Sequence, residues 1–318
     1  MWKSRSGLLA LIVSTLISVP STSQVHDEIG NVSPIYEPQE AQDRRRSIDL
    51  LERDADFTRL FPGTTKKDYL SSQHIVCPRK WASAVLVCDA RTVVTNFHAL
   101  DETYKNFGEH SIINRGDKLE SEAYDLCYFT PDYGETKYYL EPVARANLHL
   151  QVGTLYYGTV GQHGSDWAIL RLKKPVPTSA ARSSDIVYLE DDQLQRIIPT
   201  TEMRLLHIAG AGDEVFQEPY YQICTPSRPS RDRNGNYYVP TDCLSDRGSS
   251  GSGLFLNNGR RSALMAIAAN MGHTSNGSGR NYQGTMAFSE RFAEAMRRQT
   301  NNLSCMASLD QFLGRVSD

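Results

Sequence analysis

Residues 245–255 read SDRGSSGSGLF, with serines at 245, 249, 250 and 252 and glycines at 248, 251 and 253 ahead of an apolar run. Glycine lets a backbone take positive φ or approach another group closely. A serine hydroxyl becomes a nucleophile only when a neighbouring base takes its proton and a third group fixes the tautomer of that base. The stretch is therefore either a polar loop or the cradle of a catalytic serine, and only partners elsewhere in the chain decide between the two.

Of the eight histidines, His98 stands out because it ends the apolar run RTVVTNFHAL, where a ring sits at the exit of a strand. An acid occurs in GSDWAILRLKKP, where Asp166 immediately precedes an alternating strand in which Trp167, Ile169 and Leu172 pack and Arg171 and Lys173 reach water. Taken singly, His98 reads as a structural histidine and Asp166 as a turn or cap residue. Together with a glycine-bracketed serine they form the chain order His, Asp, Ser, one of the few orders that build an acyl-transfer triad. An α/β-hydrolase is excluded by the local pattern. Gly248-Ser249-Ser250-Gly251-Ser252 lacks the final glycine of G-x-S-x-G, and no Asp or Glu separates Ser250 from His273, the only later histidine.

The chain has 318 residues, 40% hydrophobic and 22% charged, with a net charge of −3. This is an ordinary globular composition with material for a substantial core, and it lacks the clustered basic excess of a nucleic-acid binder. Residues 1–23 carry Lys3 and Arg5, then an apolar run from about Gly7 to Val19, then Pro20 and small residues. This pattern predicts a secretory signal peptide rather than a membrane span, hence a secreted or periplasmic protein with no stable membrane insertion. Six cysteines in such a chain predict up to three disulfides. None forms a CxxC pair, which argues against structural zinc. Cys77–Cys88 and Cys224–Cys243 have spacings suited to links within a hairpin.

Residues 24–70 form a polar N-terminal segment or propeptide, with Arg44, Arg45 and Arg46 as a candidate processing site or a solvated charge run. From about Ser72 the texture changes to short β-branched and aromatic runs, such as ASAVLV, KYYLEPV and ALMAIAAN, separated by turn residues. Asn234-Gly235 and Asn258-Gly259 are hairpin signals. SERFAEAMRRQ places Phe292, Ala295 and Met296 on one face of a helix.

Through TNFH, SDWAIL and GSSGSGLF the sequence resembles the trypsin-like serine endopeptidases over roughly residues 72–288. ASAVLV…TVVTNFHAL with GSSGSG is most similar to their bacterial glutamyl endopeptidase branch. The resemblance implies an all-β fold of two six-stranded antiparallel barrels (71–175 and 176–288), a cleft between them, and a helical tail at 289–318. It implies His98 as general base, Asp166 as orienting acid, Ser250 as nucleophile, and the Gly248 and Ser250 N–H groups as oxyanion donors, each worth roughly 3–4 kcal/mol. The primary pocket maps to Leu244, Ser245, Asn270, Met271 and Gly272. The implied partner is a protein or peptide substrate, and the chemistry needs no cofactor or metal.

Three departures from the family pattern matter. Ser249 stands where digestive relatives carry the Asp that binds a freshly cut amino terminus. Ala99 stands where a cysteine is usual. Leu244 supplies no acid to hold Arg or Lys, and Ala268 and Ala269 stand nearest the place where glutamyl endopeptidases keep a histidine, with His273 further along. A small or medium apolar residue is the substrate preference this pocket suggests. The competing expectation is a protease-like binding or regulatory protein without catalysis, and an esterase with the same triad is a third.

Overall fold

The computed structural model describes residues 44–77, 80–96, 99, 127–131, 136–141, 167–190, 203–210, 219–226, 230–231, 237–244, 248–273, 281–300 and 302–314. They form two sheets. The first has six antiparallel strands, β2 (Ser72–Cys77), β3 (Lys80–Leu86), β4 (Thr92–Thr95), β5 (Tyr128–Thr130), β6 (Tyr138–Tyr139) and β7 (Ala168–Arg171), in the order β6-β5-β2-β3-β4-β7. The second has ten: β1 (Arg46–Ser47), β8 (Ile186–Tyr188), β9 (Leu205–Ala209), β10 (Tyr220–Cys224), β11 (Ser230–Arg231), β12 (Tyr237–Thr241), β13 (Gly253–Asn257), β14 (Ser262–His273), β15 (Asn281–Ala287) and β16 (Met306–Ser308).

The second sheet exceeds the six strands expected because flanking segments join it. β1 pairs with β10 from the amino-terminal side, while β8 lies parallel to β14 and carries the parallel β16 in turn. Sequence texture does not announce two- or three-residue strands, since their pairing is decided by the tertiary surface they meet.

Side-chain alternation explains how the two sheets meet. On β3, Ala82, Ala84 and Leu86 enter the core of the first sheet, whereas Val85 faces the core shared with the second. On β13, Leu254 and Leu256 enter the core of the second sheet and Phe255 faces the shared one. β7 is buried on both faces: Ala168 and Leu170 enter the first core while Trp167, just ahead of the strand, and Ile169 enter the shared one. Trp167, Ile169 and Leu172 are buried and Lys173 is exposed, as the sequence suggests. Ala168 and Leu170 are buried too, because this strand lies between two cores rather than at a wet surface.

The expected helix is Glu290–Gln299, here α2, following α1 (Ala55–Leu60) and preceding α3 (Leu309–Leu313). Ser289 caps α2 by accepting from the Phe292 N–H, a contribution of about 1 kcal/mol. Phe292, Ala295 and Met296 are buried in the shared core, with the Phe292 ring edge-on to Trp167 and stacked on Phe288. The amino-terminal segment also packs inward. Ile48, Leu51, Phe57, Phe61 and Tyr69 are each no more than 2% exposed and join the shared core.

Three disulfides are present: Cys77–Cys127, Cys88–Cys305 and Cys224–Cys243. The last is the expected hairpin-range link, but the expected Cys77–Cys88 pair is corrected. Cys77 ends β2 beside β5, where Cys127 begins, while Cys88 lies past the end of β3 and is reached by the chain beyond α2. Sequence spacing cannot reveal either neighbour, separated as they are by 50 and 217 residues. The Asn258-Gly259 turn joins β13 to β14 with Gly259 at φ +87°. β11 pairs with β12 as a hairpin would, although Asn234-Gly235 itself lies outside the described residues.

Candidate active site

The loop carrying Ser250 is fastened to both sheets. Ser252 N–H donates to Ser249 O at 2.9 Å, closing a four-residue turn whose third residue, Gly251, has φ +83°. That is the position where a type II turn demands glycine. From the second sheet, Gly251 N–H donates to Ala268 O at 2.8 Å and Ala268 N–H to Ser252 O at 2.9 Å. From the first, Ser83 N–H donates to the Ser250 carbonyl at 2.8 Å and Ser83 Oγ donates to Gly248 O at 3.0 Å. The same Ser83 hydroxyl accepts from Gly210 N–H at 3.1 Å.

Two of the loop glycines are required by their surroundings as well as by φ. A Cβ on Gly251 would stand 2.1 Å from Ser83 O and 2.4 Å from Thr95 Oγ1. A Cβ on Gly248, at φ +89°, would stand 2.0 Å from the Trp81 ring, which is 43% exposed. At Gly251 the backbone of this loop thus approaches β3 and β4 more closely than any side chain permits.

His98 and Asp166 lie outside the described residues, as does Ser245. Their immediate neighbours are described. Thr95 pairs with Ala168 in the β4–β7 ladder, and Thr95 Oγ1 donates to Ser83 O at 2.7 Å. The chain that runs on to His98 and the chain that arrives from Asp166 therefore meet the ladder at one end, the end bonded to the residue that holds Ser250. Asn96 is fully buried there, and Ala99 belongs to the core of the first sheet.

Leu244 is half-buried and held by its backbone: its N–H donates to Gln222 Oε1 at 3.1 Å and its carbonyl accepts from Gln222 Nε2 at 2.9 Å. Asn270, Met271 and Gly272 lie on β14 opposite Gly284, Gln283 and Tyr282 of β15, with a register shift between Ala268 and Asn270. Ser249 is 1% exposed, a buried neutral hydroxyl. His273 closes β14 opposite Asn281.

Two residues that matter to the loop were not singled out by sequence. Ser83 sits unremarked in ASAVLV, and His207 in the apolar run MRLLHIAG. His207 Nε2 lies 2.6 Å from Ser252 Oγ, and complete burial lowers the ring's pKa to about 3, so it is neutral. A polar residue inside an otherwise apolar strand was the available signal for both, since buried polar groups need partners. Elsewhere, a recess lined by Asp89, Arg91, Arg171 and Asn302 has its guanidiniums already engaged by Asp89, Glu141 and backbone carbonyls. No group of three or more His, Cys, Asp or Glu side chains suited to a metal occurs among the described residues.

No family model and no curated protein matches the sequence. Among solved structures, a Glu endopeptidase in complex with MPD superimposes with a TM-score of 0.50 at 16% identity, covering 81% of this chain and 97% of the other. A thermostable serine protease, AL20, from an extremophilic microorganism matches with a TM-score of 0.48 at 19% identity over 74% of this chain and 100% of its own. The chain therefore has the two-sheet fold of the chymotrypsin-like serine endopeptidases.

Proposed function

We propose that this protein is a secreted serine endopeptidase in which His98, Asp166 and Ser250 act as a triad. The observation that carries the reading is the fastening of the Ser250 turn to Ser83, whose carbonyl also holds Thr95 at the end of the β4–β7 ladder where Thr95 pairs with Ala168, three residues before His98 and two after Asp166 in the sequence. A loop of two positive-φ glycines bolted across two sheets is rigid in the way a nucleophile loop must be.

In this mechanism His98 takes the Ser250 proton as Oγ attacks the peptide carbonyl, forming the C–O bond of a tetrahedral intermediate. The negative oxygen is met by the Gly248 and Ser250 N–H groups. The imidazolium then gives its proton to the leaving amine as the C–N bond breaks. Water, deprotonated by the same ring, hydrolyses the acyl-enzyme, and Asp166 stays ionised throughout to hold the tautomer. The signal pattern of residues 1–23 and three disulfides support export to an oxidising compartment. With Leu244 rather than an acid at the pocket base, the substrate residue before the scissile bond is small or medium and apolar.

Digestion of a random peptide library by the purified protein tests this reading. It predicts cleavage after small or medium apolar residues that disappears in Ser250→Ala. A folded wild-type protein that cleaves nothing supports the protease-like binding protein instead, and cleavage of simple esters alone supports the esterase.

A further inference from the structure

Inside the second sheet a chain of polar groups runs through an otherwise apolar core, and its direction can be read from the partners. Gln222 holds both backbone groups of Leu244: Oε1 accepts from the N–H and Nε2 donates to the carbonyl. Because a backbone N–H can only donate and a carbonyl only accept, the amide orientation of Gln222 is fixed. Its Nε2 therefore faces His207 Nδ1, at 3.3 Å, as a donor. Nδ1 must then be bare and accept, which leaves the proton of the neutral ring on Nε2, aimed at Ser252 Oγ 2.6 Å away. His207, Gln222 and Ser252 are each no more than 2% exposed, and the Tyr220 ring stands edge-on to the imidazole at 5.8 Å.

The geometry points to His207 as a positioning residue that couples the Leu244 wall of the substrate pocket to the nucleophile loop. Leu244 lies two residues upstream of Asp246 on the approach to the loop, and Ser252 lies two residues after Ser250. The relay ties the two sides of that loop to each other through one ring, and its three side chains are buried. A shift at Leu244 is then transmitted to Ser252, so the identity of the side chain in the pocket and the placement of Ser250 are linked. Burial of three polar side chains in an apolar core costs stability unless every one is satisfied, and here His207, Gln222 and Ser252 each have a partner. The inference rests on the reading of Ser250 as the nucleophile.

The test compares Gln222→Met, Ser252→Ala and the double variant, by kcat/KM on peptides differing only in the residue before the scissile bond and by rate of labelling with a fluorophosphonate. A relay that acts as a unit is broken by either change. Each single variant is expected to lose about tenfold in kcat/KM, and the double about the same tenfold rather than a hundredfold. Ser252→Ala is also expected to flatten the preference among substrates. Losses that multiply, with the preference unchanged, would overturn the proposal and leave the three residues as core packing. Nitrogen-15 NMR of His207 in the unaltered protein gives a measurement independent of variant folding, with a protonated Nε2 and bare Nδ1 expected and the opposite tautomer overturning it. If the wild type never labels, the nucleophile reading fails. The coupling is then judged by the tautomer and by the Leu244 amide shift in Ser252→Ala, a shift being expected and its absence refuting the link.

Discussion

Gly251→Ala is the sharpest perturbation of the proposed site, because the structure supplies an internal control. Gly251 and Gly259 have nearly the same φ, +83° and +87°, yet a Cβ at Gly259 meets nothing within 4 Å. Both alanine variants share the left-handed strain, roughly 1–2 kcal/mol. At Gly251 the new methyl also stands 2.1 Å from Ser83 O, a backbone atom that must retreat by about 1 Å to reach an acceptable contact. That retreat stretches the Ser83 N–H to Ser250 O bond and the Thr95 Oγ1 to Ser83 O bond, each about 1 kcal/mol. Gly251→Ala is therefore expected to cost about 3–4 kcal/mol against about 1–2 for Gly259→Ala. Displacing Ser250 by about 1 Å should also slow its reaction roughly a hundredfold. Urea unfolding midpoints read the first difference and fluorophosphonate labelling rates the second. Equal destabilisation of the two variants, with labelling unchanged, would refute the argument that the loop is clamped.

Acid is expected to destabilise the protein through one buried histidine, His207, and one half-buried one, His74. Burial holds His207 at about 3 and His74 at about 4, both below the unfolded value near 6.5. The unfolded chain thus binds more protons below that value, and stability present above pH 6.5 falls by up to about 1.4 kcal/mol per pH unit for each ring as pH drops toward 4. A urea midpoint that does not move between pH 7 and pH 5 would contradict this. Removing residues 1–43 is expected to leave a folded protein, whereas removing residues 1–70 takes away Ile48, Leu51, Phe57 and Phe61. Their burial contributes roughly 1.5–3 kcal/mol each, which together rivals the stability of a whole domain. Near-ultraviolet circular dichroism of the two truncations reads the difference, and a well-packed longer truncation would refute it. Replacing Cys88 and Cys305 by serine should cost about 2–5 kcal/mol in a urea melt, since that bridge closes a loop of 217 residues.

Much of this architecture is legible in the sequence because it rests on local patterns. The capped, striped helix at 290–299, the Asn258-Gly259 turn and the glycine-rich loop all have short-range physical causes. What sequence does not reveal is long-range. The partners of Cys77 and Cys88, the recruitment of Arg46 and Ser47 as a strand, and the burial of Phe57 and Phe61 depend on surfaces that exist only after folding. At the site, glycines at 248 and 251 could be marked as conformationally demanding, but not what crowds them: Ser83, Thr95 and Trp81 are distant along the chain. His207 was hidden for the same reason, since an isolated histidine in an apolar strand declares a need for partners without naming Gln222 and Ser252.

The central claim, that Ser250 is an activated nucleophile, is tested most directly by mass spectrometry after treatment with a fluorophosphonate. One adduct per chain is expected, on the peptide containing Ser250, absent in His98→Ala and in heat-unfolded protein. No adduct on the folded protein, or an adduct on Ser249 or Ser252 instead, would contradict the account.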